Sequence, residues 1–262
     1  MRGEQMIVKQ QKWKWESCLY SQGQMDLISR HSENDSWKIE AFKSSTKKIS
    51  HQDFPCPFSK HSVNHKKVWF SFMDCSESEE YPEIVQQLQE YTAIFKESEY
   101  PYNFYYPLIV SIKTPKDITS LGQYNEFAWK LLQYIHDNDC EAWPQDVPKE
   151  PEEHLWSFAF SGIQLFVNVS TPAHKNRNSR NFGPCLTLVI NPRMNFDYVA
   201  GDTPQGDEIR KNVRERIKNY DTVPICNHLG TYGVESNLEW KQYAIGDGID
   251  DQAFSKCPIH IT

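Results

Sequence analysis

Apolar residues alternate with small or polar ones in a stretch that runs from residue 156 to residue 193. Residues 156–160 follow this pattern, which is typical of a half-buried strand, and Gly162 then predicts a break. Residues 163–169 and 186–190 indicate two further strands, joined by a polar, basic loop. Loops held by strands often carry binding groups. The stretch therefore predicts part of a sheet with a candidate binding loop at its centre.

The remaining patterns predict an α+β fold in a single domain. They indicate strands at 67–73, 105–112 and 240–245, and amphipathic helices at 82–96, 121–136 and 206–220. This order favours a mixed, mostly antiparallel sheet with about three packed helices over residues 51–262. Residues 1–50 are polar but contain Trp13, Trp15 and Trp37, so we expect a lightly structured N-terminal segment packed on the domain.

The composition narrows the class of protein. The formal net charge of −7 disfavours binding to nucleic acid, because long-range electrostatics would repel a polyanion. No apolar stretch reaches the roughly 20 residues that span a bilayer, and the N-terminus lacks the apolar run of a signal peptide. The seven cysteines are scattered without a CxxC pair, which suits reduced thiols. We therefore expect a cytoplasmic protein without a membrane partner.

Sequence motifs give few leads on chemistry. The common signatures of nucleotide, zinc-protease, hydrolase and calcium sites are absent. His61 and His65 have the spacing of a metal pair on a helix, but no third ligand is evident and two lysines follow. Cys56 lies in the stiff segment Phe54-Pro55-Cys56-Pro57-Phe58, and it is compatible with a nucleophile, a haem thiolate or a packed thiol.

The basic loop places His174, Arg177 and Arg180 at three-residue intervals. In a turn or a short 3₁₀ segment these side chains would project to one side. An imidazole can ligate iron or transfer a proton, and guanidinium groups match carboxylates or phosphates. The grouping would suit a haem with its axial donor and two propionates. The alternative is a solvated loop whose arginines pair with the acidic surface.

Two segments resemble the YqcI/YcgG family of bacterial proteins: FPCPF at 54–58 and HLWSFAFSG…LFVNVSTPAHKNRNSRNFGPCLTLVINPR at 154–193. The resemblance runs from about residue 53 to about residue 220. The family is similar to haem-dependent N-hydroxylases of guanidine-bearing substrates. It therefore implies haem b, dioxygen as oxidant, a small guanidine or amine as substrate, and an external electron donor, since the chain has no flavin or nicotinamide motif.

The resemblance also implies roles for particular residues. His174 becomes the preferred axial ligand and a catalytic residue, although Thr171 stands where some relatives have a histidine. Arg177 and Arg180 would hold the propionates. Phe54, Cys56, Phe58 and Trp156 would line the cofactor pocket, with Cys56 as a second catalytic candidate. Aromatic strands would supply the dry walls that dioxygen activation needs.

Three functions follow as hypotheses. The first is a haem-dependent N-oxygenase, for which Asp74 and Glu126 are candidate carboxylates to bind a guanidinium. The second is a non-catalytic haem or small-ligand carrier or sensor. The third makes Cys56 a nucleophile with His174 or His61 as its base.

Overall fold

A computed structural model describes residues 18–31, 36–77, 80–97, 106–248 and 254–262. Trp13, Trp15 and Tyr105 lie outside these residues. The strands are β1 Tyr20–Ser21, β2 Trp69–Asp74, β3 Leu108–Lys113, β4 Ala159–Phe160, β5 Ile163–Ser170 and β6 Leu186–Pro192. The helices are α1 Gln22–His31, α2 Trp37–Ser50, α3 Pro57–Asn64, α4 Pro82–Lys96, α5 Leu121–Asp137, α6 Arg193–Ala200 and α7 Pro204–Tyr220. Short 3₁₀ turns span Asn178–Arg180 and Glu239–Gln242.

The six strands form one mixed sheet in the order β1-β2-β3-β6-β5-β4. Strands β2 and β3 are parallel, with Phe70 opposite Ile109, and the other neighbours are antiparallel. The β4–β5 turn places Ser161 and Gly162 at positive φ (49° and 68°), the conformation of a two-residue hairpin loop. The predicted α+β fold with a mixed, mostly antiparallel sheet is therefore confirmed.

Each face of the sheet packs against helices. Alternate side chains of the central strands, such as Leu108 and Val110 of β3, join a core that includes α4 and α5. The intervening Ile109 joins a second core with Phe70 and Phe72, and this core includes α1 and α2. The period-2 alternation of strand side chains explains why one strand serves both cores.

The helices that the patterns predict lie close to their expected places. Helix α4 has the predicted bounds, and Pro82 occupies its first turn. Helix α5 begins with a capping box, in which Ser120 and Gln123 satisfy each other's backbone N–H groups. Helix α7 begins after Thr203, whose hydroxyl accepts a hydrogen bond from Gly206 N–H.

Other predictions need correction. The described residues contain seven helices instead of about three. Helices α1, α3 and α6 have ten residues or fewer, so each offers few turns in which an apolar spacing can recur, and α2 lies in a segment rich in Lys and Ser. From residue 20 onward the N-terminal segment forms β1, α1 and α2, so this part is more structured than predicted. The strand expected at 240–245 is largely the 3₁₀ turn Glu239–Gln242. The boundary between residues 50 and 51 stays a prediction.

In the described part of the chain, no helix is both long enough and apolar enough to cross a membrane. A cytoplasmic location stays a prediction.

Candidate functional site

A cavity of about 290 Å³ lies beside the sheet, where α3, α6 and α7 come together. Phe166 of β5 and Asn191 of β6 supply its sheet side, and the segments 229–231 and 239–242 contribute further lining. Phe58, Phe196 and Val213 extend the apolar part of its wall. Ligand sites are commonly such concave, largely apolar clefts with a few placed polar groups. This cavity is the candidate site.

Cys56 lines the cavity as the N-cap residue of α3. Its Sγ accepts a hydrogen bond from Ser59 N–H (3.4 Å), and Pro57 holds the first helical position. Phe58 follows on the helix and is 38% exposed, so its ring is available at the cavity. Two of the predicted pocket residues, Cys56 and Phe58, therefore lie at one site.

Arg216 of α7 fixes the backbone in front of Cys56. Its guanidinium donates hydrogen bonds to the carbonyls of Gln52 (3.1 Å), Phe54 (2.8 Å) and Pro55 (3.0 Å). Charged donors make stronger hydrogen bonds than neutral ones. Helix α7 thus determines where the thiol lies relative to the cavity.

A buried carboxylate, that of Glu239, lies in the cavity wall. Glu239 is 2% exposed, and its Oε1 accepts hydrogen bonds from the hydroxyls of Ser157 (2.6 Å) and Tyr243 (2.9 Å). Its Oε2 lies 3.2 Å from Nε of Arg193. Burial raises the pKa of Glu239 to about 7, although the charge of Arg193 and the two hydroxyl donors lower it. Near neutral pH this group can accept or donate a proton.

Arg193 begins α6 and also lines the cavity. Its guanidinium carbon lies 3.7 Å from the centroid of the Tyr232 ring, a cation–π contact, and its Nη2 donates to Asp197. The approach of Nε to Glu239 is an ion pair without hydrogen-bond alignment, because Nε has no hydrogen-bond partner in the described structure. Nδ2 of Asn195 is likewise buried and unpaired among the described residues. The wall thus retains polar capacity for a ligand.

Helix α7 adds two more cations to the cavity, Arg210 and Arg214. Arg210 donates to the carbonyls of Ala200 and Gly201 and to Asp207. Arg214 makes one hydrogen bond, from Nη2 to Gly230 O (3.1 Å).

The predicted haem-facing set lies elsewhere. His174 is 2% exposed; its Nδ1 is 3.1 Å from Thr171 Oγ1 and its Nε2 is 3.1 Å from the carbonyl of Ile245. Burial lowers the pKa of His174 to about 4, and the nearby charge of Arg180 adds to this shift. Both ring nitrogens are therefore occupied within the protein, and neither is free to ligate iron in this structure.

The two loop arginines are also buried and bind the main chain. Arg177 donates to the carbonyls of Pro224, Gly246 and Gly248, and its Nη1 lies 4.0 Å from Asp221. Arg180 donates to the carbonyls of Val169, Gln242 and Tyr243. Three-residue spacing does bring His174, Arg177 and Arg180 into one region, but their polar atoms bind backbone carbonyls and the Thr171 hydroxyl, and none of the three lines the cavity.

Two aromatic pocket candidates belong to the cores. Phe54 is buried, and its ring packs against Phe182 and Tyr220 (centroids 5.9 Å apart in each case). Trp156 is fully buried and stacks on Trp143 at 6.4 Å. Neither ring lines the cavity.

The candidate carboxylates named from the sequence lie away from this cavity. Asp74 pairs with Lys113 (2.9 Å) at the surface. Glu126 lines a second cavity of about 410 Å³ beside α5, together with Tyr81 and Phe254. Neither carboxylate contacts Cys56 or the cavity walls.

The metal and nucleophile interpretations gain no support. The rings of His61 and His65 stack at 4.0 Å, and within the described residues no group of three His, Cys, Asp or Glu side chains could hold a metal ion. All nine histidines lie in that part of the chain, and none of their rings is hydrogen-bonded to the Cys56 thiol, whose contact is with Ser59. Neither His174 nor His61, the two bases predicted for Cys56, is hydrogen-bonded to its thiol.

Comparison with known families gives a match to the YqcI/YcgG family over residues 45–260. The chain belongs to the YqcI/YcgG family. This membership confirms the resemblance inferred from the two motifs, and the match covers the cavity from Cys56 to Gln242.

Three relatives are similar over most of their length. A Streptomyces lavendulae protein named "Putative N(omega)-hydroxy-L-arginine synthase DcsA" is 37% identical over 238 residues, 89% of each chain. Bacillus subtilis YqcI is 33% identical over 229 residues (85% of this chain and 87% of YqcI), and YcgG of the same organism is 34% identical over 210 residues (79% and 80%). No solved structure matches this chain.

Sequence reasoning missed Arg193, Arg214 and Glu239, which this YqcI/YcgG protein brings to the cavity from separate segments. Arg193 follows the predicted strand end at Asn191-Pro192, and Glu239 is the one acid in the largely apolar run from 238 to 245. An isolated acid among aromatic residues was a signal for a buried carboxylate. Arg214 had no local signal, because it resembles any other charge on α7.

The cavity's donor set fits a haem in part. Cys56 offers a thiol, one of the ligand types that hold haem iron, and Phe58, Phe166 and Phe196 offer apolar walls. The cations of α7 match the charge of propionates. No histidine lines this cavity in the described structure, so the fit depends on Cys56 and not on His174.

Proposed function

We propose that this protein is a cytoplasmic, haem-dependent N-oxygenase that hydroxylates a guanidine nitrogen of a small, arginine-like substrate. One observation carries the proposal: a single cavity combines the thiol of Cys56 with the buried carboxylate of Glu239. The name of the Streptomyces lavendulae relative, a hydroxyarginine synthase, supports the substrate class.

The proposed reaction needs two electrons from an external donor. One atom of dioxygen enters an N–H bond to give N–OH, and the other leaves as water after taking up two electrons and two protons. Haem, when bound with Cys56 as its candidate thiolate ligand, would supply the iron that activates dioxygen. The two electrons must come from a separate reductase or a small reductant.

Glu239 is the residue that we assign to the guanidinium. Its Oε1 is already fixed by two hydroxyl groups, while Oε2 faces Arg193 without a hydrogen bond and keeps acceptor capacity. A carboxylate matches a guanidinium fork in charge and geometry. Because its pKa is about 7, Glu239 can also hold the proton that leaves the nitrogen. The aromatic walls would exclude water from the reacting nitrogen.

The first experiment measures haem and its ligand. The protein is expressed with a haem supply, and the Soret band and the ferrous carbonyl spectrum are recorded for wild type, Cys56→Ser and His174→Ala. We expect a Soret band in wild type and a changed carbonyl spectrum in Cys56→Ser only. A haem-free wild type would refute the cofactor. A spectrum that changes only in His174→Ala would restore His174 as ligand.

The second experiment measures turnover. Haem-loaded protein receives L-arginine, dioxygen and a chemical reductant, and product one oxygen atom heavier is sought by mass spectrometry. Glu239→Gln should reduce turnover about 10-fold or more, in the range seen when a charged binding partner is removed. Haem binding without any product would favour the non-catalytic carrier or sensor.

A further inference from the structure

Four arginines surround the cavity region, and three of them contact more than one partner. Arg193 contacts Glu239, Asp197 and the Tyr232 ring. Arg210 binds two carbonyls and Asp207, and Arg216 binds three carbonyls. These side chains already have partners that explain their positions.

Arg214 differs from them. It lines the cavity, yet only its Nη2 is bonded, to Gly230 O at 3.1 Å, and its Nε and Nη1 have no partner among the described residues. No carboxylate lies within ion-pair distance of it in that part of the chain. A guanidinium has five N–H donors arranged to bind a carboxylate through two of them. Arg214 therefore has donors left for a ligand.

The surrounding charges favour an anion at this place. Partial burial lowers the pKa of Arg214, and the nearby charge of Arg210 lowers it further. Of the acids that line the cavity, Glu239 and Asp197 face Arg193, and Asp202 is exposed to solvent. Helix α7 carries five cations and three acids (Asp207, Glu208 and Glu215), and Asp207 pairs with Arg210, so the helix has an excess of positive charge.

We infer that Arg214 is the anchor for a ligand carboxylate in this cavity, with Arg210 adding to the local positive potential. The inference deepens the proposed function and rests on it for the identity of the ligand: the carboxylate belongs either to an amino-acid substrate or to a haem propionate. Glu239 and Arg214 would then recognise opposite charges at different parts of one cavity.

The test compares two probes that differ in one group. L-Arginine and agmatine share the guanidinium and the carbon chain, but agmatine lacks the carboxylate. Their affinities are measured by calorimetry for the wild type, Arg214→Gln, Arg214→Lys and Lys211→Gln, each with and without haem, and the haem content is quantified separately. Lys211 is exposed on the same helix and controls for the loss of one positive charge.

If Arg214 binds the substrate's carboxylate, Arg214→Gln should weaken L-arginine binding about 10- to 100-fold and leave agmatine binding and haem content unchanged. If it binds a propionate, haem content should fall, and the two probes should change equally. Arg214→Lys should recover part of either loss because it keeps the charge but not the fork. Lys211→Gln should match the wild type.

The outcomes separate this inference from the proposed function. Normal probe affinities and normal haem content in Arg214→Gln would overturn the inference and leave the N-oxygenase proposal standing. Binding that depends on Arg214 but yields no N-hydroxylated product would support the inference and overturn the N-oxygenase proposal. A wild type that binds neither probe nor haem overturns both.

Discussion

Nε of Arg193 lies 3.2 Å from Oε2 of Glu239, and both side chains are buried in the wall of one cavity. A buried ion pair is seldom a source of net stability, because two charges lose their hydration. Here the carboxylate also keeps two hydroxyl donors, Ser157 and Tyr243, which fix its orientation. The cluster is thus an oriented acidic group at a cavity, an arrangement suited to recognising a cation.

The first prediction concerns Glu239→Gln and pH. Burial raises the folded-state pKa of Glu239 from its usual value of 4.5 to about 7, so the folded protein holds this proton more tightly than the unfolded chain. The contribution of this bound proton to the free energy of unfolding is fully present below about pH 4.5 and is lost as the pH rises through 7. The free energy of unfolding, from urea titrations at pH 5 and pH 7.5, should fall more in wild type than in Glu239→Gln, by about 2 kcal/mol. If the free energy of unfolding changes equally with pH in wild type and Glu239→Gln, the pKa of Glu239 is not raised in the folded protein.

The second prediction concerns His174→Gln. Loss of the imidazole removes contacts with Thr171 Oγ1 and Ile245 O, so the variant should be less stable by about 1–3 kcal/mol at pH 7.5. Burial lowers the folded-state pKa of His174 from its usual value of 6.5 to about 4. Wild-type stability from this group is present above about pH 6.5 and is lost as pH falls towards 4, opposite in sign to Glu239.

The same urea titrations check this prediction when they are extended to pH 4.5. The difference between wild type and His174→Gln should shrink at the lower pH, because the buried neutral imidazole loses its advantage there. A constant difference would mean that His174 titrates normally. Intact stability combined with loss of haem absorbance would instead support an iron-ligand role.

The elements that were predicted correctly are those whose apolar residues recur locally. In α4, the residues Ile84, Leu88, Tyr91 and Phe95 repeat at helical spacing behind Pro82, and the observed helix has the predicted bounds. Helix α2 lacks such a clear stripe, and its formation depends on burying Ile39, Phe42 and Ile49 against distant strands. A helix that is stabilised mainly by contacts with distant segments is difficult to predict from local sequence patterns.

The candidate site, too, could be predicted only where local spacing was informative. The spacing of His174, Arg177 and Arg180 indicated a shared location, but not what the side chains face. Their carbonyl partners come mostly from residues 242–248, about 70 positions later. Likewise, Cys56, Arg193, Arg214 and Glu239 meet only through the fold. Cys56 was identified because prolines flank it. Glu239 had a weaker signal, as the one acid in an aromatic-rich run, and Arg214 had none.

The third prediction tests whether Arg177 is structural. Its fully buried guanidinium satisfies three backbone carbonyls, so Arg177→Met should reduce the free energy of unfolding by about 3–5 kcal/mol. Lys175→Met, at an exposed position of the same loop, is the matched control and should be near wild type. Urea denaturation followed by tryptophan fluorescence measures both. A stable Arg177→Met protein that fails to retain haem would support the propionate role instead.

The fourth prediction concerns Arg216, which links α7 to the backbone before Cys56 through three carbonyls. In Arg216→Met these hydrogen bonds are lost, and the segment 52–56 should open more often. The rate of Cys56 alkylation by iodoacetamide, followed by peptide mass spectrometry, should rise roughly 5-fold or more, as expected when a local opening becomes easier by about 1–2 kcal/mol. Lys218→Met, exposed on the same helix, controls for the lost charge and should leave the rate unchanged.

The buried Cys75 serves as an internal reference, because a global loss of stability would expose both thiols. Faster alkylation confined to Cys56 would show that Arg216 positions this thiol, whereas an unchanged rate would mean that the proline-flanked segment holds its shape without α7.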